Sequence, residues 1–381
     1  MSVKDETTRA AEAANRFTVD LFRGVAGAPG DVFASPLNVA TALGMTAVGA
    51  RGETARQIAR ALHLSDEADA DSLGELAEAV RGAIHAPDGD DAAVSTANAA
   101  WFDPSESILP EYARRLHAAF GAEPRRADFR HAPTAARELV NRWAADATHG
   151  KIRDLLKPRR VGPDTSFVLA SAIYFKGYWT FPFDPKLTRD DVFHAPGGDV
   201  PARLMFQSAK RLPHRQDDEA QVVALPYKDG SLSMLVVLPK KPDGLPALEA
   251  GLTAEKIQTW AMTTRPAAVN LTLPRFQSTA EVELKDALSG LGMVDAFEPS
   301  KADFSGINGR RDLYLSAVVH KALVEVDEQG TEAAAAAAAV GARHDAVAPP
   351  PIVFRADRPF LYMIRDAGTG AILFIGRLER P

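Results

Sequence analysis

The chain predicts an α+β fold, and three observations carry that reading. Apolar residues recur at helical spacing from Ala10 to Gly150, strand-like runs dominate from Phe167 onward, and no regular β–α–β alternation joins the halves. At 46% hydrophobic and 25% charged residues, the 381-residue sequence has the usage of a globular protein. It shows no internal repeat and no linker-like break in composition, so one domain spanning 1–381 is expected.

The elements follow in order. Ala10, Ala14, Phe17, Leu21 and Phe22 share one face of a first helix running from about Ala10 to Arg23. Ser35 is a good N-cap for a second helix, and Pro36 sits where a missing N–H costs nothing. That helix, Val39 to Val48, is apolar or small on nearly every side and should be buried. Gly52-Glu53-Thr54 opens a third, carrying Ile58 and Leu62. Ser65 to Ala93 is acidic, with Leu73, Leu76 and Val80 as a thin stripe, and predicts an exposed surface helix. Leu139, Trp143 and Ala147 mark another helix, closed by His149-Gly150.

Phe167 to Phe175 is almost continuously apolar and predicts a central strand covered on both faces. Val222–Pro226 and Leu232–Leu238 flank Asp229-Gly230, a hairpin signal. Val269, Leu271 and Leu273 alternate as a strand does, and Leu284, Ala287, Leu288 and Leu291 share one face of a short helix. Phe360–Ile364 and Ile372–Ile375 predict two strands joined through Gly368-Thr369-Gly370.

Composition excludes several classes of function. The net charge of −6 argues against a nucleic-acid partner. The absence of cysteine removes disulfides, thiolate metal sites and a cysteine nucleophile. Met1 to Thr8 is polar, without the apolar core of a signal peptide, and no apolar run reaches the roughly 18 residues of a membrane span. A cytoplasmic protein is expected, with non-classical export left open. No nucleophile elbow, phosphate-binding loop, dinucleotide fingerprint or zinc-binding helix motif is present. None of the nine histidines lies three or four residues from another, so neither an enzyme nor a metal site is expected. His320, after Val318-Val319, is the one histidine placed for burial, and it reads as structural. Arg125-Arg126 and Lys157-Pro158-Arg159-Arg160 read as loop surface.

The least ordinary stretch is Glu328-Gln329-Gly330-Thr331-Glu332 followed by seven alanines, Ala333 to Ala339. Alanine is the best helix former, yet this run follows a strand-like segment and has no bulky face to bury. Beyond it lie Val340 to Ala348 and then Pro349 to Pro351. A long segment without anchors in a compact domain is functional or disordered.

Across almost the whole chain, from Asn15 onward, the sequence resembles the serpins. The likeness is carried by Ser35-Pro36 with Thr41 to Met45, Gly49 to Thr54, Asn141-Arg142-Trp143 with Thr148 to Ile152, and Tyr174-Phe175-Lys176-Gly177-Tyr178-Trp179. It continues through Leu225-Pro226-Tyr227, Ser233-Met234, Ala302 to Gly306, His320-Lys321-Ala322 and Asp357-Arg358-Pro359-Phe360. The richness in alanine, arginine, glycine and proline points to a bacterial member.

The resemblance implies three β-sheets with eight or nine helices and an exposed reactive-centre loop at about 328–351. It implies suicide inhibition of a serine protease as a monomer, through a covalent acyl-enzyme complex, without a cofactor. The protease would cut the loop, and residues from about Thr331 would then insert into the central sheet. Gly330, Thr331, Glu332, Ala333, Ala334, Ala335 and Ala336 would form the hinge. Trp179 would mark the head of the sheet, the breach. Strand parity sets Thr331, Ala333, Ala335, Ala337 and Ala339 inward and Glu332 toward water. About fourteen residues would reach on the order of 45 Å. The alternative is a non-inhibitory serpin acting as a binding or chaperone-like protein, and the small residues of the hinge argue against it.

Two places need a choice. The family's usual serine after the Ser-Pro pair and asparagine on the central strand are Asn38 and Ser171 here, as if amide and hydroxyl were exchanged. Ser35, Asn38, Ser171 and His320 would then still form one polar cluster, the shutter. The scissile bond falls at Arg343–His344, suiting trypsin-like proteases, or at His344–Asp345. The region that holds the heparin site in some relatives aligns with Ser65–Ala93, where Arg81 is the only Lys or Arg, so heparin-type activation there is not expected.

Overall fold

The computed structural model describes residues 3–27, 29–64, 92–228, 230–331 and 349–381. Nine α-helices lie among these residues. They are α1 (Val3–Val25), α2 (Pro36–Ala47), α3 (Gly52–Ala61), α4 (Pro110–Phe120), α5 (Pro133–Ala147), α6 (Leu245–Ala250), α7 (Ala254–Thr263), α8 (Lys285–Gly290) and α9 (Ser305–Asn308).

The central sheet has six strands. Its path runs from β10 (Phe276–Glu283) through β11 (Leu315–Val326), β4 (Phe167–Tyr178) and β2 (Ala92–Phe102) to β3 (Arg125–Arg126), and β12 (Gly330–Thr331) pairs with β4. The larger network takes in β1 (Val32–Ala34), β5 (Arg189–Ala195), β6 (Gly198–Gln216), β7 (Ala220–Pro226) and β8 (Leu232–Pro239). It also includes β9 (Arg265–Pro274), β13 (Ile352–Arg355), β14 (Phe360–Asp366) and β15 (Ile372–Leu378). The expected second and third sheets merge because β6 runs 19 residues through both. A bulge between Gln207 and Lys210 bends it from one into the other.

The central strand β4 is buried over its first nine residues, as a continuous apolar run requires. Phe167, Leu169, Ile173 and Phe175 point to the core shared with α2 and the larger sheet. Val168, Ala170 and Ala172 point the other way, toward Val140 and Ala144 of α5. α2 is buried on nearly every side, and each fully buried Leu or Val of its face is worth about 1.5–3 kcal/mol.

Three expectations need correction. The first helix is longer than Ala10–Arg23, starting at Val3 and ending at Val25. On α5 the buried residues are Ala136, Val140, Asn141 and Ala144, whereas Leu139 is 38% exposed. Small alanines against the sheet let the helix approach closely, and that rotates the apparent stripe. The surface helix expected over Ser65–Ala93 lies largely outside the described residues, but Ala92 and Ala93 belong to β2. The hairpin of β7 and β8 and the final pair β14–β15 form antiparallel as expected.

Candidate functional site: a polar latch in the central sheet and an anchored loop root

β4 and β11 run parallel side by side, with His320 directly opposite Ser171. One hydrogen-bonded chain links this pair to α2. Ser35 caps α2, its hydroxyl accepting from the Asn38 N–H at 3.3 Å while donating to the Leu373 carbonyl at 2.6 Å. The Asn38 amide donates to the Ser171 hydroxyl at 2.9 Å and to the Ala172 carbonyl at 3.2 Å. Ser171 Oγ lies 3.0 Å from His320 Nδ1, and the Ser35 N–H donates to His320 Nε2 at 3.0 Å. The structure thus brings Ser35, Asn38, Ser171 and His320 together, with Asn38 and Ser171 in direct contact. It adds Asn98, whose amide donates to Asn38 Oδ1 at 2.7 Å. Asn98 sits on β2 opposite Ser171, a neighbour that only the strand register reveals.

The protonation of His320 follows from its partners. Nε2 faces a backbone donor, so it must be the acceptor and Nδ1 carries the proton. An imidazolium would direct a second N–H at that of Ser35. Complete burial pushes its pKa down to about 3, and the ring is neutral through the ordinary pH range.

The head of the sheet is built differently. Trp179 stacks on Tyr227 at 4.6 Å, and its indole N–H donates to the Asp327 carbonyl at 3.0 Å. The Asp327 carboxylate accepts from the N–H groups of Gln329 and Gly330 at 2.9 and 3.2 Å, shaping a tight turn after β11. Glu328 is 2% exposed and accepts from Thr188 Oγ1 at 2.5 Å and Arg275 Nε at 2.7 Å, with a second ion-pair contact to Arg275. Burial raises the pKa of its carboxyl, but Arg275 and Thr188 outweigh that and hold it below the usual range. Glu328 was expected at the start of the loop; it is instead part of the anchor from which the loop departs. Nothing local in the sequence marks Thr188 or Arg275 as its partners.

Beyond the anchor the chain reverses. Gly330 and Thr331 pair antiparallel with Tyr178 and Gly177. β2 holds the opposite edge of β4 at Gly177, so β12 enters on the β11 side, where those two strands diverge. Gly330 has φ +149°, and a Cβ there would fall 2.1 Å from the Gly177 carbonyl oxygen, so only glycine fits. The hinge residues Glu332, Ala333, Ala334, Ala335 and Ala336, and the scissile candidates Arg343, His344 and Asp345, lie outside the described residues. Among the described residues, no cluster of three or more His, Asp or Glu could hold a metal ion. No helix there is long and apolar enough to cross a membrane.

A large mixed sheet with a polar latch at mid-length and a loop root poised at its head defines a serpin architecture. The comparisons agree. Residues 12–381 match the family described as Serpin (serine protease inhibitor), and the chain belongs to that family. It is 38% identical over 365 residues to a serine protease inhibitor of Cyanea capillata, covering 94% of each chain. It is 37% identical to the leukocyte elastase inhibitor of Xenopus tropicalis, covering 97% of this chain and 98% of that one. The crystal structure of uncleaved ovalbumin superposes with a TM-score of 0.86 at 30% identity, covering 97% of this chain and 99% of that one. The two inhibitors are animal proteins and carry no sign of the bacterial source that composition suggests.

Proposed function

We propose that this chain is a suicide-substrate inhibitor of serine proteases with trypsin-like specificity, acting as a monomer and without a cofactor. It is a substrate that traps its enzyme and is not itself an enzyme. The target's serine attacks the Arg343 carbonyl, an ester to Arg343 forms, and the amide to His344 breaks, the new amine leaving with a proton. His344–Asp345 is the second candidate bond. Residues from Thr331 then enter the central sheet and carry the acyl-linked protease with them.

The observation that carries this reading is the register of β12. Continued without a break, it sets Ala333 opposite Phe175, Ala335 opposite Ile173 and Ala337 opposite Ser171, ending with Gly341 opposite Phe167. Opposite residues share a face, so Thr331 and the odd-numbered alanines would meet the core shared with α2, and small methyls would pass without a steric stop. Glu332 would stand opposite Lys176 on the other face. An entering strand widens the β4–β11 spacing from about 4.8 Å to about 9.6 Å. The 3.0 Å contact between Ser171 and His320 then breaks, so this pair is the latch that insertion must open. Two new ladders of roughly twenty hydrogen bonds replace the one that β4 and β11 share, and the net gain of about ten, at about 1 kcal/mol each, outweighs the loss of that contact.

Incubation with trypsin followed by denaturing electrophoresis and mass spectrometry tests the reading. A covalent band and a fragment ending at Arg343 are expected. Clean cleavage without a complex, and without a rise in the thermal midpoint of the cut protein, would overturn it.

A further inference from the structure

The seam between β4 and β11 is crossed by a second set of contacts, on the face of the central sheet turned away from α2. After α5 the chain runs back along that face, through Lys151 to Ser166, before it enters β4. Its apolar residues Ile152, Leu155 and Leu156 pack in one cluster with Ala172 of β4 and Leu323 of β11, so this segment covers both banks of the seam. On one bank it is tied to α5. The Asn141 amide donates to the Leu156 carbonyl at 3.0 Å and its Oδ1 accepts from the Leu156 N–H at 2.7 Å, both bonds buried. α5 itself rests on β2, where Trp143 meets Trp101 edge to face at 5.6 Å. On the other bank the ties are charges. Lys151 pairs with Glu325 of β11 at 3.6 Å, while its ammonium lies 5.2 Å from the ring of Tyr174 on β4. Lys157 pairs with Glu281 of β10 at 3.0 Å, and Arg160 pairs with Glu283. Lys321 of β11 pairs with the same Glu281 at 3.5 Å and donates to the Asp154 carbonyl at 3.1 Å. Lys157 and Arg160, loop surface by sequence, are thus stitched to the sheet.

We infer that residues 151–160 form a charge-stitched strap across the seam, and that ionic strength sets the rate of loop entry by loosening its charged side. The inference rests on the loop-insertion reading above. β10 and β11 pair from Phe276 to Glu283, so they would move as one body when the seam opens. The strap is continuous with β4 and bonded to α5, so it would stay on the opposite bank. An entering strand drives the banks apart by about 4.8 Å. Ion-pair contacts of 3.0 and 3.6 Å cannot all follow such a move, and one side of the strap has to let go. Two buried hydrogen bonds hold the α5 side. The charged side is weaker, because its pairs are partly exposed, Lys157 by 50%, and pairs of that kind are screened by salt. The latch of Asn38, Ser171 and His320 is neutral and buried, so the two barriers answer to different conditions.

The test follows entry of the loop sequence without any protease. A synthetic peptide of residues 331–343 is incubated with the full-length protein, and its uptake is timed by the rise in thermal midpoint. Wild type should take it up about fivefold faster in about 0.5 M than in about 0.02 M sodium chloride. The double variant Glu281→Gln, Glu283→Gln cuts the pairs to Lys157, Lys321 and Arg160 without adding charge. It should already be fast at low salt and gain less than about twofold from added salt. Lys157→Gln with Arg160→Gln, which cuts the stitches from the strap side, should behave alike. Glu53→Gln, which removes an ion pair on α3, should behave as wild type. The same salt response in all four proteins would overturn the strap and leave insertion standing. Uptake by none of them at either salt would overturn the insertion reading, and the strap with it.

Discussion

The middle of the central sheet and its head are both held by buried polar groups, yet they are built from different chemistry. At mid-sheet, Asn38, Ser171, His320 and Ser35 form a neutral chain in which every partner is an amide, a hydroxyl or an uncharged imidazole. At the head, a buried carboxylate, Glu328, is fixed by Arg275 and Thr188. Neutral hydrogen bonds are worth about 0.5–1.5 kcal/mol net, and bonds to a charge roughly twice that. The difference matches the two tasks. On the proposed mechanism the mid-sheet contact crosses the strands that would part, so it should be firm but breakable. The head anchor lies before Gly330 and stays in place whether or not the loop enters, so it can be strong.

The largest effect should come from the head. Glu328→Ala strands the Thr188 hydroxyl and leaves Arg275 facing an apolar gap, at an expected cost of about 3 kcal/mol in denaturant unfolding. Arg275 is half-exposed, so the loss should fall short of that for a fully buried pair. A cost below about 0.5 kcal/mol would show that the head is not anchored by charge, and the contrast would collapse.

Next comes the latch. His320→Ala leaves the Ser35 N–H without a partner and the Ser171 hydroxyl with only its bond from the Asn38 amide, at an expected cost of about 2 kcal/mol. It should also change the pH dependence of stability. The folded-state pKa of His320 is pushed down to about 3 while the unfolded ring titrates near 6.5, so between these values the unfolded state binds more protons. Stability contributed by the neutral ring is therefore full above about pH 6.5 and falls as pH drops toward 3, by at most about 1.4 kcal/mol per unit. The alanine variant should lack that component of the slope. An identical slope in both proteins would mean that His320 is not the group that titrates.

A smaller effect tests the exchange of amide and hydroxyl. Asn38→Ser and Ser171→Asn should each cost about 1–2 kcal/mol, and the double variant should recover about 1 kcal/mol of the sum. Strict additivity would mean that the two positions hold independent polar residues despite lying 2.9 Å apart.

How much of this was legible in the sequence depended on whether the signal was local. Ser35 as a cap, the buried α2 and the continuous apolar run of β4 follow from spacing and residue type. The latch residues were found only through their likeness to family motifs, because Asn38 and Ser171 are 133 positions apart. Asn98 was missed since its role depends on β2 lying opposite β4 in one register. Thr188 and Arg275 look like surface residues until folding sets them around Glu328. The face of α5 was misread because Leu139 outweighs alanine in any hydrophobic pattern, while sheet packing selects the smaller residue.

The smallest effect separates the latch from the inserted strand. Glu332 should gain a partner only after cleavage, when continued pairing would bring it opposite Lys176. An exposed ion pair is worth about 0.5 kcal/mol. Glu332→Ala should therefore leave the uncleaved protein's unfolding midpoint unchanged and lower that of the cleaved form slightly, with the loss removed by salt. The same shift in both forms would place Glu332 in a contact that exists before cleavage. No shift in either would imply that the inserted register differs from that of Gly330 and Thr331. The inward set of alanines would then have to be reassigned, since a slip of one residue turns every side chain to the opposite face.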